Sequence, residues 1–294
     1  MAMTTVLVQV DSDFASESAI ESAFLAARKD GGHVVGAYVS QPSNQVTAEA
    51  MMFSRTEIGM PGQDVVAALQ FAERRGGPEA LEARHVFERI AQRRNAAIVE
   101  SPPNPGSLTA CFTILEDHGP DTLALQGRIF DLVVVKQPKN DRNHELRKLL
   151  RSVLFNAGRP ILVAPEVAPL SLGRRVLIAW NKSALSARAA AISRNFFEDV
   201  EEVAILTVDS KGGPGPTAWD LADYIAWHGL RAQVIEAEVG NDRLGDVILR
   251  EAERFDADLL VMGAYSQSTF RQSLTGGVTN YVLSRAAIPV LMSH

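Results

Sequence analysis

Cysteine is nearly absent from the chain: Cys111 is the single thiol in 294 residues, so no disulfide closes within one copy and a reducing compartment is the natural setting. An excess of positive charge is absent too. With 29 Lys and Arg against 35 Asp and Glu, the net charge of -6 argues against a nucleic-acid or membrane-surface partner, which would need clustered cations. No apolar run approaches the roughly 20 residues that span a bilayer. The first residues lead straight into an apolar strand pattern, with no basic segment and apolar core of a signal peptide, so the expected location is the cytoplasm. The six histidines, His33, His85, His118, His144, His228 and His294, share no metal-ligand spacing, and there is no Cys-x-x-Cys pair. A Gly-x-Ser-x-Gly nucleophile elbow and a Gly-x-x-x-x-Gly-Lys-Ser/Thr phosphate loop are missing as well. These absences leave no marked catalytic residue and no metal site.

What is present is a globular composition, 46% hydrophobic and 22% charged, in a chain long enough for two ordinary domains. An internal repeat divides it. TVLVQVD at 5–11 parallels RVLIAWN at 175–181, FDLVVV at 130–135 parallels ADLLVM at 257–262, and RPILVA at 159–164 parallels IPVLMS at 288–293. Two copies of one unit are therefore expected head to tail, residues 1–166 and 173–294, with the proline-containing stretch 165–173 as linker.

Short apolar runs alternate with helical spacings in each half. In the first, strands are expected at 6–10, 34–39, 111–115, 132–135 and 161–163, and helices at 15–29, 64–75, 78–94, 121–130 and 145–155. Asp13 is the expected cap of the first helix, and residues 41–62 read as a surface excursion. In the second half, strands are expected at 176–180, 203–208, 233–236, 259–262 and 290–292. Helices are expected at 184–197, capped by Ser183, at 217–228, with Trp219, Leu221, Ala222, Ile225 and Ala226 as its apolar face, and at 244–255, capped by Asp242. A further helix begins after Gly277. The fold class is α/β: two tandem doubly wound domains, each a five-stranded parallel sheet with helices on both faces.

The informative stretch is the last one. Leu259 to Met262 is uniformly apolar, as a strand buried on both faces should be; a polar loop follows from Gly263, and Gly276-Gly277 stands where the next helix starts. Glycines just beyond a parallel strand and at a helix start let backbone N–H groups approach an anion without a Cβ in the way.

Met262-Gly263-Ala264-Tyr265-Ser266, then nine residues, then Gly276-Gly277-Val278-Thr279, resembles the ATP-binding signature of the universal stress protein family, Gly-x-x-Gly-x9-Gly-Ser/Thr. It departs at Ser266, where the second glycine belongs, and at Gly277, where the hydroxyl residue belongs. With the repeat, the resemblance covers nearly the whole chain as a tandem pair. It implies that ATP or another adenine nucleotide binds the second half. Asn181 then takes the place of the family's base-contacting Asp, and Val208 lines the base pocket. Met262 and Gly263 lie along ribose and phosphates, and Gly276, Gly277, Val278 and Thr279 hold phosphate oxygens, with the Ser266 hydroxyl nearby. Each residue also has a plainer role: Asn181 closes a strand-to-helix turn, and the glycine pair allows close packing. Lys182 and Arg271 are either phosphate partners or ordinary solvated cations, and Asp209 and Glu236 either hold Mg²⁺ beside the nucleotide or end their strands in solvent.

The first half lacks the loop. Lys136-Gln137-Pro138-Lys139 replaces the Gly263 segment, so this half is expected to bind no nucleotide and to serve as a structural partner. Lys136, Lys139, Arg142, Arg147 and Lys148 form either an anion-binding patch or a solvated helix face. The family pairs its units through the last strand, which implies an intrachain pseudo-dimer here; the same apolar strands, 161–163 and 290–292, are suited to a further chain and a homodimer. The functional expectation is a regulatory stress-response module that answers nucleotide by contacting an unknown protein partner. The alternatives are a nucleotide-free scaffold and a slow ATP hydrolase.

Overall fold

A computed structural model describes residues 5–11, 15–27, 31–40, 77–101, 106–138, 144–197, 199–209, 214–264 and 277–294. In chain order the first half contains β1 (Thr5–Gln9), α1 (Ala15–Ala26), β2 (His33–Ser40), α2 (Gly77–Arg93), β3 (Ala97–Ile98), β4 (Thr109–Glu116), α3 (Thr122–Gly127), β5 (Leu132–Lys136), α4 (His144–Asn156) and β6 (Ile161–Ala164). The second contains β7 (Arg175–Ala179), α5 (Ala184–Ser193), a 3-10 turn (Arg194–Phe196), β8 (Glu202–Val208), α6 (Ala218–Ala226), β9 (Ala232–Ala237), α7 (Leu244–Arg254), β10 (Leu259–Gly263), α8 (Val278–Leu283) and β11 (Val290–Ser293). The Asp13 cap, the excursion at 41–62 and the helix at 64–75 lie outside the described residues.

Among the described residues all strands join one eleven-stranded sheet in the order β3-β4-β2-β1-β5-β6-β11-β10-β7-β8-β9. Every neighbouring pair is parallel except β6 with β11, whose register sets Val163 beside Val290, Leu162 beside Leu291 and Ile161 beside Met292. The alternation of side chains along each strand divides the core into two layers. Val6, Val8, Leu162, Leu291, Val176 and Ile178 point to one face, where α1, α2, α5 and α6 supply Ile20, Phe87, Ala189 and Ile225. Leu7, Ile161, Val290, Leu177 and Leu260 point to the other, under Leu123 of α3, Leu150 of α4, Ile248 of α7 and Val282 of α8. Each layer runs without a break through both halves, so the α/β class with helices on both faces holds.

The differences from expectation are local. The first half gains β3, a two-residue strand beside β4 whose Ala97 and Ile98 are exposed and carry no burial pattern to reveal them. Ser183 caps α5 as expected, accepting from Ser186 N. Asp242 does not cap α7: Arg243 holds that position without a side-chain cap, and Asp242 pairs with Arg250 instead, at 2.6 Å. Trp219 and Ala226 face solvent on α6, whose buried residues are Ala218, Leu221 and Ile225. The last strands are enclosed, since β6 lies between β5 and β11 and β11 between β6 and β10, so neither offers an edge to another chain.

The same carboxylate device anchors the start of each half. Asp131, just before β5, accepts from the Thr5 N–H and hydroxyl. Asp258, just before β10, accepts from the N–H groups of Gly173, Arg174 and Arg175 and from Ser171 Oγ. The connecting segment is thereby tied to the amino end of the second parallel set, and Ser18 Oγ, donating to Pro165 O at 2.6 Å, ties its beginning to α1.

Candidate functional site

In an open parallel sheet the crevice forms at the carboxyl ends of the strands, where the chain changes its direction of winding. In the second half that point lies between β7 and β10: the chain moves outward through β8 and β9, then returns to β10 and β11 on the other side. Asn181 follows β7 and Gly263 ends β10. Val208 ends β8, and it stands two residues beyond Leu206, the register partner of Ala179, just as Asn181 stands two beyond Ala179. Topology therefore gathers Asn181, Val208, Met262 and Gly263. Ser266 and Gly276, like Tyr265 and Arg271, lie outside the described residues.

Asn181 is exposed, and its Oδ1 accepts the Ser183 N–H at 3.2 Å, closing the turn into α5. Its Nδ2 group still has donors to offer. Lys182, beside it, adopts a left-handed φ of 62°. Met262 is buried in the second layer, with Val208 packed at its margin. Gly263 answers a packing demand: a Cβ there would lie 2.7 Å from Ser186 N and 2.9 Å from the Leu185 carbonyl carbon, so glycine lets the first turn of α5 press against the end of β10. Gly277 is the reverse case. It precedes α8 with an ordinary φ of -79° and no side-chain cap, and among the described residues a Cβ there would meet nothing within 4 Å. Close packing is thus the reason for Gly263 but not for Gly277. Val278 is half-buried and Thr279 buried behind it. Tyr281 fixes α8 against α7: its hydroxyl donates to Asp246, Gly245 leaves room for its ring, and Arg285 sits 4.0 Å over it.

The carboxylates expected near a metal lie at the ends of neighbouring strands. Asp209 Oδ1 accepts from Val239 N at 3.3 Å, while Glu236 is exposed on β9. No group of three or more His, Cys, Asp or Glu with metal-holding geometry occurs among the described residues.

The equivalent point in the first half, between β1 and β5, is built differently. Lys136 occupies the Gly263 position and Asp11 the Asn181 position, and the buried Lys136 ammonium pairs with the Asp11 carboxylate across the crevice. Gln9 Nε2 also donates to Asp11, at 3.3 Å. Nearby, Tyr38 donates to Glu79 at 3.1 Å. Burial and the Glu79 carboxylate push the Tyr38 hydroxyl up to about 12, keeping it a donor. A lysine chain and its counter-ion fill the place where the second half has a glycine. Lys148 pairs with Glu145 at 2.7 Å on α4; Lys139 and Arg142 lie outside the described residues. Sequence reasoning missed the ion pair, although the aligned repeat put Asp11 over Asn181 and Lys136 over Gly263.

At the amino ends of β2 and β4, His33 Nε2 lies 3.5 Å from Cys111 Sγ, and its Nδ1 lies 2.9 Å from Thr109 Oγ1. Burial pushes the thiol up and the imidazole down from their ordinary values, so the pair is a thiol beside a neutral ring, unlike an activated cysteine.

Residues 174–294 match the family model described as the universal stress protein family. This half therefore carries the sequence likeness to the universal stress protein family. Solved structures extend the likeness in fold to the whole chain. A universal stress protein from Archaeoglobus fulgidus is 15% identical, with 99% of this chain and 96% of that chain covered at a TM-score of 0.60. A functionally unknown protein from Pseudomonas aeruginosa is 14% identical, with 99% and 92% covered at 0.55. No curated protein matches the chain by sequence. The family likeness thus falls on the half with Asn181 and Gly263, and the half with the ion pair shares its sheet order.

Two outcomes follow. Gly263→Ala forces α5 away from β10 and is expected to destabilise the protein by about 1–3 kcal/mol in urea unfolding, the scale of an overpacked core position. His33, whose folded-state value lies below the ordinary 6.5, binds its proton more readily in the unfolded chain. Stability is therefore full above about pH 6.5 and falls as the pH drops below it; His33→Gln is expected to flatten that part of the unfolding profile.

Proposed function

We propose that the second unit, residues 173–294, binds an adenine nucleotide, ATP or a close relative, in the crevice between β7 and β10. The chain is then a cytoplasmic stress-response module that reports nucleotide rather than turning it over. The observation that carries this reading is the contrast between the two crevices: Lys136 and Asp11 close one, while Asn181, Val208 and Gly263 border the other and Gly277 leaves space before α8.

The residues fit the ligand. Asn181 Nδ2 offers donors to a base edge, with Val208 and Met262 as apolar walls for the base. Val278 and Thr279 open α8 directly after Gly277, and the amino end of a helix suits phosphate oxygens. Gly276 and the Ser266 hydroxyl complete the proposed phosphate contacts. Mg²⁺, where it accompanies the triphosphate, neutralises phosphate charge. Filling the crevice favours one arrangement of the segment between Gly263 and Gly277, and a protein partner reads that arrangement.

The turn bond from Ser183 N to Asn181 Oδ1 favours a second reading, a nucleotide-free scaffold, because it takes up the one side-chain acceptor at the base position.

Gly277→Glu separates the two. Among the described residues the added Cβ meets no atom within 4 Å, so stability should stay within about 0.5 kcal/mol of wild type. Nucleotide binding, measured by calorimetric titration with ATP, should be lost to steric and charge conflict. Unchanged affinity contradicts the site, and no binding by the wild-type protein at millimolar ATP favours the scaffold.

A further inference from the structure

The sheet ends differently at its two edges. The β3 edge is only two residues long, too short to template another strand. The β9 edge is six residues, Ala232–Ala237, and holds no lysine, proline or glycine to discourage pairing. Among the described residues β9 pairs only with β8, so its other side presents unmatched N–H and C=O groups. Open edges of this kind are ordinarily blunted or covered.

Helix α6 packs over β8 and β9 and makes the region beside that edge apolar. Trp219 is 60% exposed and Trp227 just after the helix is 88% exposed, which for two of the chain's three tryptophans is a large solvated aromatic area. Their direction can be read from the other flank of the helix. Arg194, at the end of α5, lies 5.7 Å over the Tyr224 ring and bonds to His228, so the Tyr224 flank faces α5, which packs on β10 and β11 toward the middle of the sheet. At about 100° per residue, Trp219 stands roughly 140° around the helix from Tyr224. It therefore overhangs the free edge.

Charge along the edge is polarised. Arg231 is exposed at the amino end of β9, and Glu236 and Glu238 are exposed at its carboxyl end. Two copies of β9 paired antiparallel bring each Arg231 toward the other copy's Glu236 and Glu238, twice per interface, whereas parallel pairing sets like charges together. A two-fold axis normal to the sheet also places both α6 helices on the same face, running antiparallel, so each Trp219 flank meets the other helix.

We propose that this edge is a self-association surface, on which a second copy of the chain adds its β9 antiparallel, extends the sheet across the dyad and covers Trp219. The mode matches the sheet's one internal antiparallel joint, β6 with β11, and uses the long edge that this joint leaves open. It is independent of whether the crevice holds nucleotide.

The test is a charge swap read by analytical ultracentrifugation on the full chain, with circular dichroism confirming that each variant is folded. Wild type is expected to dimerise. Arg231→Glu and Glu238→Arg are each expected to weaken the dimer about tenfold or more, because two copies of every contact are lost. The double variant R231E/E238R is expected to restore it. Tryptophan emission should shift to the red on dilution through the dissociation range in wild type. A wild-type protein that stays monomeric at high micromolar concentration overturns the proposal, and so does a dimer that neither single reversal weakens.

Discussion

The antiparallel pairing of β6 with β11 sets the conditions for everything else in the molecule. Each strand has four buried residues, all apolar in β6 and three of them apolar in β11, too few to shield its own edge and too apolar to leave it in water. Pairing them satisfies both ladders and aligns Leu162 with Leu291 in one layer and Val163 with Val290 in the other. Two sheets become one, both hydrophobic layers continue through the joint, and the unit boundary falls within a shared core. A boundary inside a core couples the halves: neither can lose its last strand without exposing its neighbour's. Gln137 of the first half adds a polar tie, donating to Ala286 O of the second at 2.9 Å.

The two halves differ at their aligned crevice positions. Duplicated units start with the same crevice between their first and fourth long strands. Here the two copies have settled opposite problems at the same aligned positions. Lys136 and Asp11 neutralise each other inside the first crevice, an arrangement that leaves a buried cation compensated but takes up the space. The second crevice keeps a glycine and an uncharged Asn181. The last strand of the first half continues the sheet of the second.

Periodicity made the strands and helices legible because burial here follows simple rules: parallel strands enclosed by helices are apolar throughout, and their helices carry one apolar stripe. The aligned repeat in turn made the topology legible. Features that depend on what lies beside an element were not. β3 is exposed on both residues and has no pattern to detect. Trp219 read as core because it sits near apolar neighbours on α6, but its angle on the helix turns it outward. Asp242 read as a cap by type and position, yet Arg250 claims its carboxylate. At the site, the gathering of Asn181, Val208, Met262 and Gly263 followed from topology and was foreseeable. The division of labour between the glycines was not, because only coordinates show that Gly263 is pressed by Leu185 and Ser186 while Gly277 is open.

Lys136 and Asp11 pair inside the first crevice, and the second is the one proposed to hold a nucleotide. The most direct measurement is the amount of nucleotide per chain, taken by denaturing freshly purified protein and quantifying what it releases by mass-resolved chromatography, then repeating the count after saturation with ATP. The account predicts one adenine nucleotide per chain at saturation. Two per chain would show that Lys136 and Asp11 do not close the first crevice, and none would show that the second is not a nucleotide site.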